Sequence, residues 1–294
     1  MPFDVLAHFV DRERERGHFH HMLAGETGKR VLLITAEGEQ GKTCLLLRLF
    51  FDCEDRGIPT VLLDFDQRKS SLTDYLSVAR EIRRHLGDEH TSAICACEDE
   101  ITRPRPVVNI QTGGGKAAGV DFGRRDDFTG ATLRDIASRD LIQVSNVSGA
   151  TPTADLIARQ RDDMGRALGR DLAGLAPARV ALLLDTFEHA SPETCEWLER
   201  WLFQPLRHLS HVLLVVAGRP ECRSFFDQPR LWGDLVIHFD RFDPFSRDEA
   251  LTYYRRRNLP VDETDTLFLQ VACSKAGLMA QLGDAIRQER RGMR

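Results

Sequence analysis

Short, mostly apolar runs recur along the chain, and longer stretches with apolar residues at helical spacing separate them. Each run is bounded by polar or glycine-containing residues, which is typical of strands buried on both faces of a parallel sheet. The alternation of such strands with helices predicts a three-layer α/β fold with right-handed crossovers. The five predicted strands are residues 31–35, 60–66, 180–185, 211–217 and 235–239.

Helical patterns fill the intervals between these strands and continue alone to the C-terminal end. Ser191, Pro192 and Glu193 predict a helix start, with an N-cap, a proline in the first turn and an acid facing the helix dipole. Ser246 and Glu249 form a capping box at the start of another helix. The predicted helices are residues 42–52, 71–86, 246–257, 263–274 and 278–290, with one more beginning at residue 191.

Residues 87–150 interrupt this alternation. Residues 107–111 and 141–147 have the composition of β-strands, with a glycine-rich region between them. We predict an inserted β-hairpin or small β-rich subdomain here, with a partly disordered loop as the alternative. The domain prediction is therefore a core over residues 1–243 that carries this insert, followed by a small helical lid over residues 244–294.

Composition and charge limit the kinds of function that the chain can have. Its 294 residues suit one large domain or a core with a small satellite, and its net charge of -5 gives no general attraction to nucleic acid. The seven cysteines are scattered and lack zinc-site spacing, so a reduced, cytoplasmic protein is the simpler interpretation. The first residues do not resemble a signal peptide, and no stretch is apolar over the roughly 18 residues of a membrane helix. We therefore expect a soluble protein without a membrane partner.

A phosphate-binding loop, the P-loop, occupies residues 36–43, A-E-G-E-Q-G-K-T, between a predicted strand and a predicted helix. Gly38 and Gly41 leave room for backbone N–H groups to face phosphate oxygens, and the following helix directs its positive end at them. Lys42 is expected to contact the β- and γ-phosphates, and Thr43 to offer its hydroxyl to Mg²⁺. The predicted nucleotide-binding residues of this segment are Gly38, Glu39, Gln40, Gly41, Lys42, Thr43 and Cys44.

Three polar residues lie at or just after the ends of the third and fourth predicted strands, at the carboxyl edge where ligands of open α/β sheets bind. Asp185 ends its strand and is expected to face Mg²⁺, because a P-loop site needs a carboxylate on a neighbouring strand. Glu188 is a candidate general base for the attacking water. Arg219 is a candidate contact to the γ-phosphate. The alternatives are a strand-end cap, a surface acid and a structural arginine, respectively.

Several blocks of the sequence, in this order, resemble one family. Residues 9–15, F-V-D-R-E-R-E, resemble the F-V-G-R-E-x-E box that precedes the P-loop in STAND-class signalling ATPases, a branch of the AAA+ group. Residues 182–188, L-L-L-D-T-F-E, resemble the family's metal-binding strand, and residues 215–220, V-V-A-G-R-P, resemble the next strand with its arginine sensor. Residues 242–260 resemble the segment that leads into the family's helical lid. The resemblance covers most of the chain outside residues 87–150.

The resemblance implies ATP or ADP and Mg²⁺ as ligands, and the sequence lacks the N-K-x-D motif of guanine-binding proteins. By position, Val10 and Arg12 would lie near the adenine or ribose. The residues implied at the phosphates and Mg²⁺ are Lys42, Thr43, Asp185 and Arg219.

Three positions depart from the family's pattern. Asp11 stands where glycine is usual, and Met279 stands where the lid often has proline. Thr186 follows the metal-binding aspartate where many AAA+ ATPases have an acid. The departures at Thr186 and Met279 predict slow hydrolysis.

The favoured hypothesis for function is a nucleotide switch, in which ATP and ADP forms differ in lid position. A turnover ATPase that remodels or moves a nucleic acid or protein is the main alternative, because Glu188 offers a base. A nucleotide-binding scaffold and a small-molecule kinase are further alternatives. Relatives usually carry additional domains, and many bacterial ones belong to immunity or conflict systems. We therefore expect a separate effector chain or other protein partner, or a homo-oligomer.

Overall fold

The computed structural model describes residues 9–10, 12–66, 72–103, 107–112, 115–116, 120–121, 142–145, 154–261 and 265–292. By their internal contacts these residues form two compact units. One comprises Met1–Cys95 with Met164–Arg294, and the other comprises Ala96–Asp163.

The first unit contains one parallel sheet, in which every residue of the first, third and fourth strands is buried. Burial on both faces explains why these strands have unbroken apolar sequences. The parallel five-stranded α/β fold predicted from the apolar runs is confirmed. The strands, in the spatial order β2-β3-β4-β1-β5, are β1 (Val31–Ile34), β2 (Thr60–Asp64), β3 (Val180–Asp185), β4 (Val212–Ala217) and β5 (Val236–Phe239).

The strand order brings three loops together. Strands β3, β4 and β1 are adjacent, with Leu184 opposite Val216 and Ile34 opposite Ala217. Because the strands are parallel, the loops that follow them leave the sheet at one edge. The P-loop follows β1, Asp185 ends β3, and Arg219 follows β4. The sheet therefore places the sequence-predicted polar residues within one region.

Helices flank the sheet and continue beyond it. Their N-caps include the predicted serines Ser191 and Ser246, each of which accepts a hydrogen bond from a backbone N–H of the first turn. The helices are α1 (Glu13–Ala24), α2 (Lys42–Glu54), α3 (Tyr75–Leu86), α4 (Ser92–Thr102), α5 (Ala154–Gly174), α6 (Pro192–Leu198), α7 (Pro229–Trp232), α8 (Arg247–Arg256), α9 (Thr266–Ala272) and α10 (Ala276–Gly292).

Four of these helices, α1, α4, α5 and α7, are absent from the sequence prediction. Helix α4 lies inside the segment predicted to be β-rich, and Ile94 is its only buried residue among those whose side chains are described. Helix α5 contains glycines, which are poor helix formers. Yet Gly165 is required there, because a Cβ would lie 2.2 Å from the Trp201 ring. Tertiary packing therefore overrides local propensity in α5.

The helices α8, α9 and α10, here called the lid, have a hydrophobic cluster of their own. Its members include Phe245, Leu251, Tyr254, Leu269 and Met279, all buried. The Tyr254 hydroxyl donates to the carbonyl oxygen of Met279 at 3.0 Å, which ties α8 to α10. The lid is thus a small packed element, and its sequence prediction as an all-helical segment agrees with the described residues.

The second unit contains the predicted β-rich segment. Strand Val107–Thr112 pairs antiparallel with Ile142–Ser145, with Val108 opposite Val144. Two shorter strands, Gly115–Lys116 and Val120–Asp121, also pair with Val107–Thr112. The two strands predicted from composition are therefore paired, while most of the glycine-rich region between them lies outside the described residues. Among the described helices of either unit, none has the length and apolarity to cross a bilayer.

Candidate functional site

The P-loop follows β1 directly, and two of its residues have left-handed backbone. Gly41 has a φ of 86° and Glu39 a φ of 63°. This conformation costs little for glycine and more for glutamate, so the packing around Glu39 holds it there. A Cβ at Gly38 would meet no protein atom within 4 Å, so the loop borders open space at that residue.

The start of α2 offers backbone donors without a capping side chain to receive them. No side chain caps the helix at Gly41, and its first turn contains no acid. Helices α3 and α8, by contrast, begin with capping boxes at Asp74 and Ser246. An uncapped helix of 13 residues keeps free N–H groups and the positive end of its dipole, both of which favour an anion. The loop and helix therefore fit a phosphate chain.

Lys42, the first residue of α2, folds its side chain back onto the P-loop. Its Nζ donates to the carbonyl oxygens of Ala36 at 2.5 Å and Glu37 at 2.8 Å. Burial lowers the pKa of Lys42, while the carboxylates of Glu188 and Asp185 oppose this by stabilising its charge. Phosphate oxygens are stronger, charged acceptors than carbonyl oxygens. The Lys42 ammonium is therefore placed to exchange loop carbonyls for a phosphate.

Asp185, the last residue of β3, is 3% exposed. Its carboxylate accepts hydrogen bonds from the Thr43 side chain and from the backbone N–H of Thr186, the latter at 2.9 Å. Burial raises the pKa of Asp185 to about 6. The hydrogen bond from Thr43 lowers this pKa, and the nearby Asp64 carboxylate raises it. A hydroxyl beside a buried carboxylate fits Mg²⁺, which prefers oxygen ligands. Asp64 pairs with Asp185 in register, which explains the repulsion.

Glu188 and Arg219 form an ion pair, with 3.4 Å between Glu188 Oε1 and Arg219 Nε. Thr186 has a φ of 55°, and this left-handed turn leads into the short 3₁₀ helix Phe187–His189 that carries Glu188. The Glu188 side chain is 15% exposed and that of Arg219 is 60% exposed. Oε2 of Glu188 is buried and has no hydrogen-bond partner among the described residues. The pair thus leaves one carboxylate oxygen of Glu188 for another donor.

A cavity of about 300 Å³ adjoins the P-loop within the first unit. One wall comes from the core and includes the predicted binding residues Val10, Arg12, Gln40, Gly41 and Cys44. The other wall comes from the lid, and Met279 is the one member of it that the sequence singles out. The members of this wall include Phe245, Tyr253, Arg257, Met279, Ala280, Asp284 and Arg287.

Arg12 is buried, and its guanidinium binds protein groups on both sides of the cavity. It donates to the carbonyl oxygens of Asp243 at 2.8 Å and Gln40 at 3.3 Å. It also lies over the rings of Phe242 and Phe245, 4.3 and 4.5 Å from their centroids. Arg12 therefore connects the P-loop to the segment entering the lid. Val10 lines the same cavity, and the neighbouring departure at residue 11 lies outside the described residues.

The lid touches the P-loop through the first residues of α10. The backbone N–H of Gly277 donates to the carbonyl oxygen of Glu39 at 2.9 Å. A Cβ at Gly277 would lie 2.8 Å from the Glu39 Cβ, and a Cβ at Gly41 would lie 3.1 Å from that of Ala276. The approach at Gly277 leaves no room for a side chain, and Gly41 combines its tight approach with a left-handed φ of 86°. The contact closes one end of the cavity.

Replacing Gly277 with alanine is expected to destabilise the protein by about 1–2 kcal/mol, because the new methyl group overlaps Glu39. Gly169 is a matched control within helix α5, since a Cβ there would meet no atom within 4 Å. Gly169→Ala is expected to stabilise by up to about 1 kcal/mol, because alanine favours helices. Urea denaturation midpoints would measure both. Equal, stabilising effects would show that the lid does not rest on the P-loop in solution.

Comparison with known proteins finds solved structures that are similar to this chain. No family model and no curated protein matches the chain. Among solved structures it is similar to Cdc6p from Pyrobaculum aerophilum, with 13% identity and a TM-score of 0.44 over 85% of this chain and 50% of that one. It is also similar to the Orc1 protein of Aeropyrum pernix, solved in complex with DNA, with 15% identity and a TM-score of 0.46 over 96% of this chain and 61% of that one.

A third similar structure is a DNA replication initiation factor, with 11% identity and a TM-score of 0.42 over 96% of this chain and 66% of that one. The chain thus spans between half and two thirds of the length of the solved structures it matches. Similarity at these scores carries no functional argument. By its own strand order, with a P-loop after β1 and a buried carboxylate at the end of β3, the chain has the α/β P-loop fold.

Proposed function

We propose that the chain is the ATP-binding switch module of a STAND/AAA+-like signalling ATPase, in which slow ATP hydrolysis controls conformation or oligomerisation. The observation that carries this proposal is the contact of α10 with the P-loop, through Gly277 and Glu39. Core and lid share one cavity. A nucleotide held there would touch both, so its chemical state would bias the lid position.

Phosphate binding is assigned to the P-loop backbone and Lys42. The uncapped start of α2 and the free space at Gly38 support this role. Thr43 and Asp185 would hold Mg²⁺, which supplies charge neutralisation for the β- and γ-phosphate oxygens. The nucleoside would occupy the cavity between Val10 on the core and Met279 on the lid.

Slow hydrolysis is assigned to the surroundings of Glu188. Its carboxylate is held in an ion pair with Arg219, which competes with an attacking water for the same oxygen. Arg219 is largely exposed, so a γ-phosphate can compete with Glu188 for it. In this scheme Arg219 moves from Glu188 to the γ-phosphate when ATP is bound. Glu188 can then accept a proton from water. Thr186, next to Asp185, provides no second acid.

The test begins with the nucleotide that copurifies with the protein and the steady-state rate of ATP turnover. We expect retained ATP or ADP and turnover on the order of 10⁻² s⁻¹ or slower, as in intrinsic switch GTPases. DNA should leave that rate unchanged. Rapid turnover stimulated by DNA would replace the switch with a remodelling or translocating ATPase.

Hydrogen exchange of residues 276–283 tests the coupling itself. Protection of these amides should differ between ADP and an ATP analogue with a non-hydrolysable β–γ bond, because only the latter engages Arg219. Residues 212–217 of the buried strand β4 serve as the internal control and should not change. Identical lid protection with both nucleotides would refute the switch, while leaving nucleotide binding intact.

A further inference from the structure

Helix α10 forms one long side of the cavity. Four of its five lining residues, Ala276, Ala280, Asp284 and Arg287, are spaced by four, four and three positions, so they share one helical face. Ala276 lies against Gly41 of the P-loop. At 1.5 Å per residue, Asp284 lies about 12 Å further along the helix axis. The helix therefore runs from the phosphate end of the cavity to its opposite end.

The chemistry of the wall changes along that length. Backbone donors and Lys42 are concentrated at the P-loop end. Apolar side chains also line the cavity, among them Val10, Phe245 and Met279. Asp284 and Arg287 are the lining residues of α10 that lie furthest from the P-loop. A nucleotide with its phosphates at the P-loop would direct its base, which is uncharged, toward the Asp284 carboxylate.

Arg257 holds one oxygen of Asp284 in place. The Arg257 side chain is 9% exposed, and its Nη2 donates to Asp284 Oδ1 at 2.5 Å. Its Nη1 donates to the Tyr253 hydroxyl at 2.8 Å and to the carbonyl oxygen of Ala280 at 3.4 Å. Asp284 Oδ2 has no hydrogen-bond partner among the described residues. The Asp284 side chain, which is 61% exposed, thus brings one fixed and one free carboxylate oxygen to the rim of the cavity.

We infer that Asp284 selects adenine over guanine, by accepting a hydrogen bond from the 6-amino group of the base on its free oxygen. An ionised carboxylate only accepts hydrogen bonds. Adenine carries an amino donor at position 6, whereas guanine carries an acceptor oxygen there. Guanine in the same pose would bring two acceptors together without a proton between them.

This inference rests on the proposed nucleotide site and gives that site its base preference. The test compares dissociation constants of ATP, GTP, inosine triphosphate and 2′-deoxy-ATP, each with Mg²⁺, by titration calorimetry. The variants are Asp284→Ala and Asp284→Asn, with Asp234→Asn as the control, since Asp234 is exposed and does not line the cavity. Thermal melting would show that each variant folds.

In the wild-type protein we expect ATP to bind at least roughly tenfold more tightly than GTP or inosine triphosphate. Asp284→Ala should remove most of that preference by weakening ATP alone. A variant that keeps the wild-type preference would overturn the inference, as would a loss confined to GTP. A change in the ratio of ATP to 2′-deoxy-ATP would instead assign Asp284 to the ribose. If no nucleotide binds the wild-type protein, the proposed function itself fails.

Discussion

Replacing Lys42 with alanine is expected to weaken ATP binding by at least about 100-fold while the protein remains folded. The Lys42 ammonium already lies within the P-loop, bound to the carbonyl oxygens of Ala36 and Glu37. With a nucleotide present it would exchange these for phosphate oxygens. Charge-assisted hydrogen bonds contribute about 1.5–3 kcal/mol each, and two of them correspond to a factor of about 100 or more.

The control for this variant is Lys29→Ala. The Lys29 Nζ donates to the carbonyl oxygen of Gly233 at 3.0 Å in an exposed contact, and Lys29 does not line the cavity. The Lys29→Ala substitution therefore removes the same charge without altering the P-loop. Binding of a fluorescent ATP analogue, with circular dichroism as the folding check, would measure both variants. Undiminished binding in Lys42→Ala would refute the nucleotide site altogether.

Much of the fold was predictable because buried parallel strands have a distinctive sequence. Strand β3, V-A-L-L-L-D, is wholly buried, and only a strand covered on both faces needs such a run. The P-loop was predictable for a related reason. Its glycines, lysine and threonine are neighbours in sequence, so their geometry is local. Asp185, Glu188 and Arg219 were predictable because each lies at or just after a strand end.

The lid wall of the cavity was not predictable in the same way. Arg257, the residue after α8, meets Tyr253 on α8 and Asp284 on α10 only after the lid has folded. Their contacts depend on how two helices pack, which helical spacing alone does not determine. The ion pair of Glu188 with Arg219 likewise depends on the left-handed turn at Thr186, and threonine is not a residue that marks such a turn.

Replacing Asp185 with asparagine is expected to stabilise the nucleotide-free protein at pH 8 by about 3 kcal/mol. Folding raises the pKa of Asp185 from 3.8 to about 6, chiefly through burial. The folded state therefore holds this proton more tightly than the unfolded chain does. The fold loses stability as pH rises from about 4 to about 6, and the loss amounts to about 3 kcal/mol above that range. Asparagine has no charge to desolvate, and its amide oxygen still accepts hydrogen bonds.

The gain from Asp185→Asn should disappear at pH 4, where the wild-type carboxyl is protonated in the folded state. The control is Asp240→Asn, an exposed aspartate directly after β5 at the same edge of the sheet, which should change stability little. Urea denaturation at pH 4 and pH 8 would measure these effects. Saturating Mg²⁺ and ATP should reverse the order, because the wild-type protein gains ligand-linked stability that the variant lacks. A variant less stable than wild type at pH 8 without nucleotide would mean that the Asp185 carboxylate is already compensated within the fold, and the case for a cation at this position would lose its energetic basis.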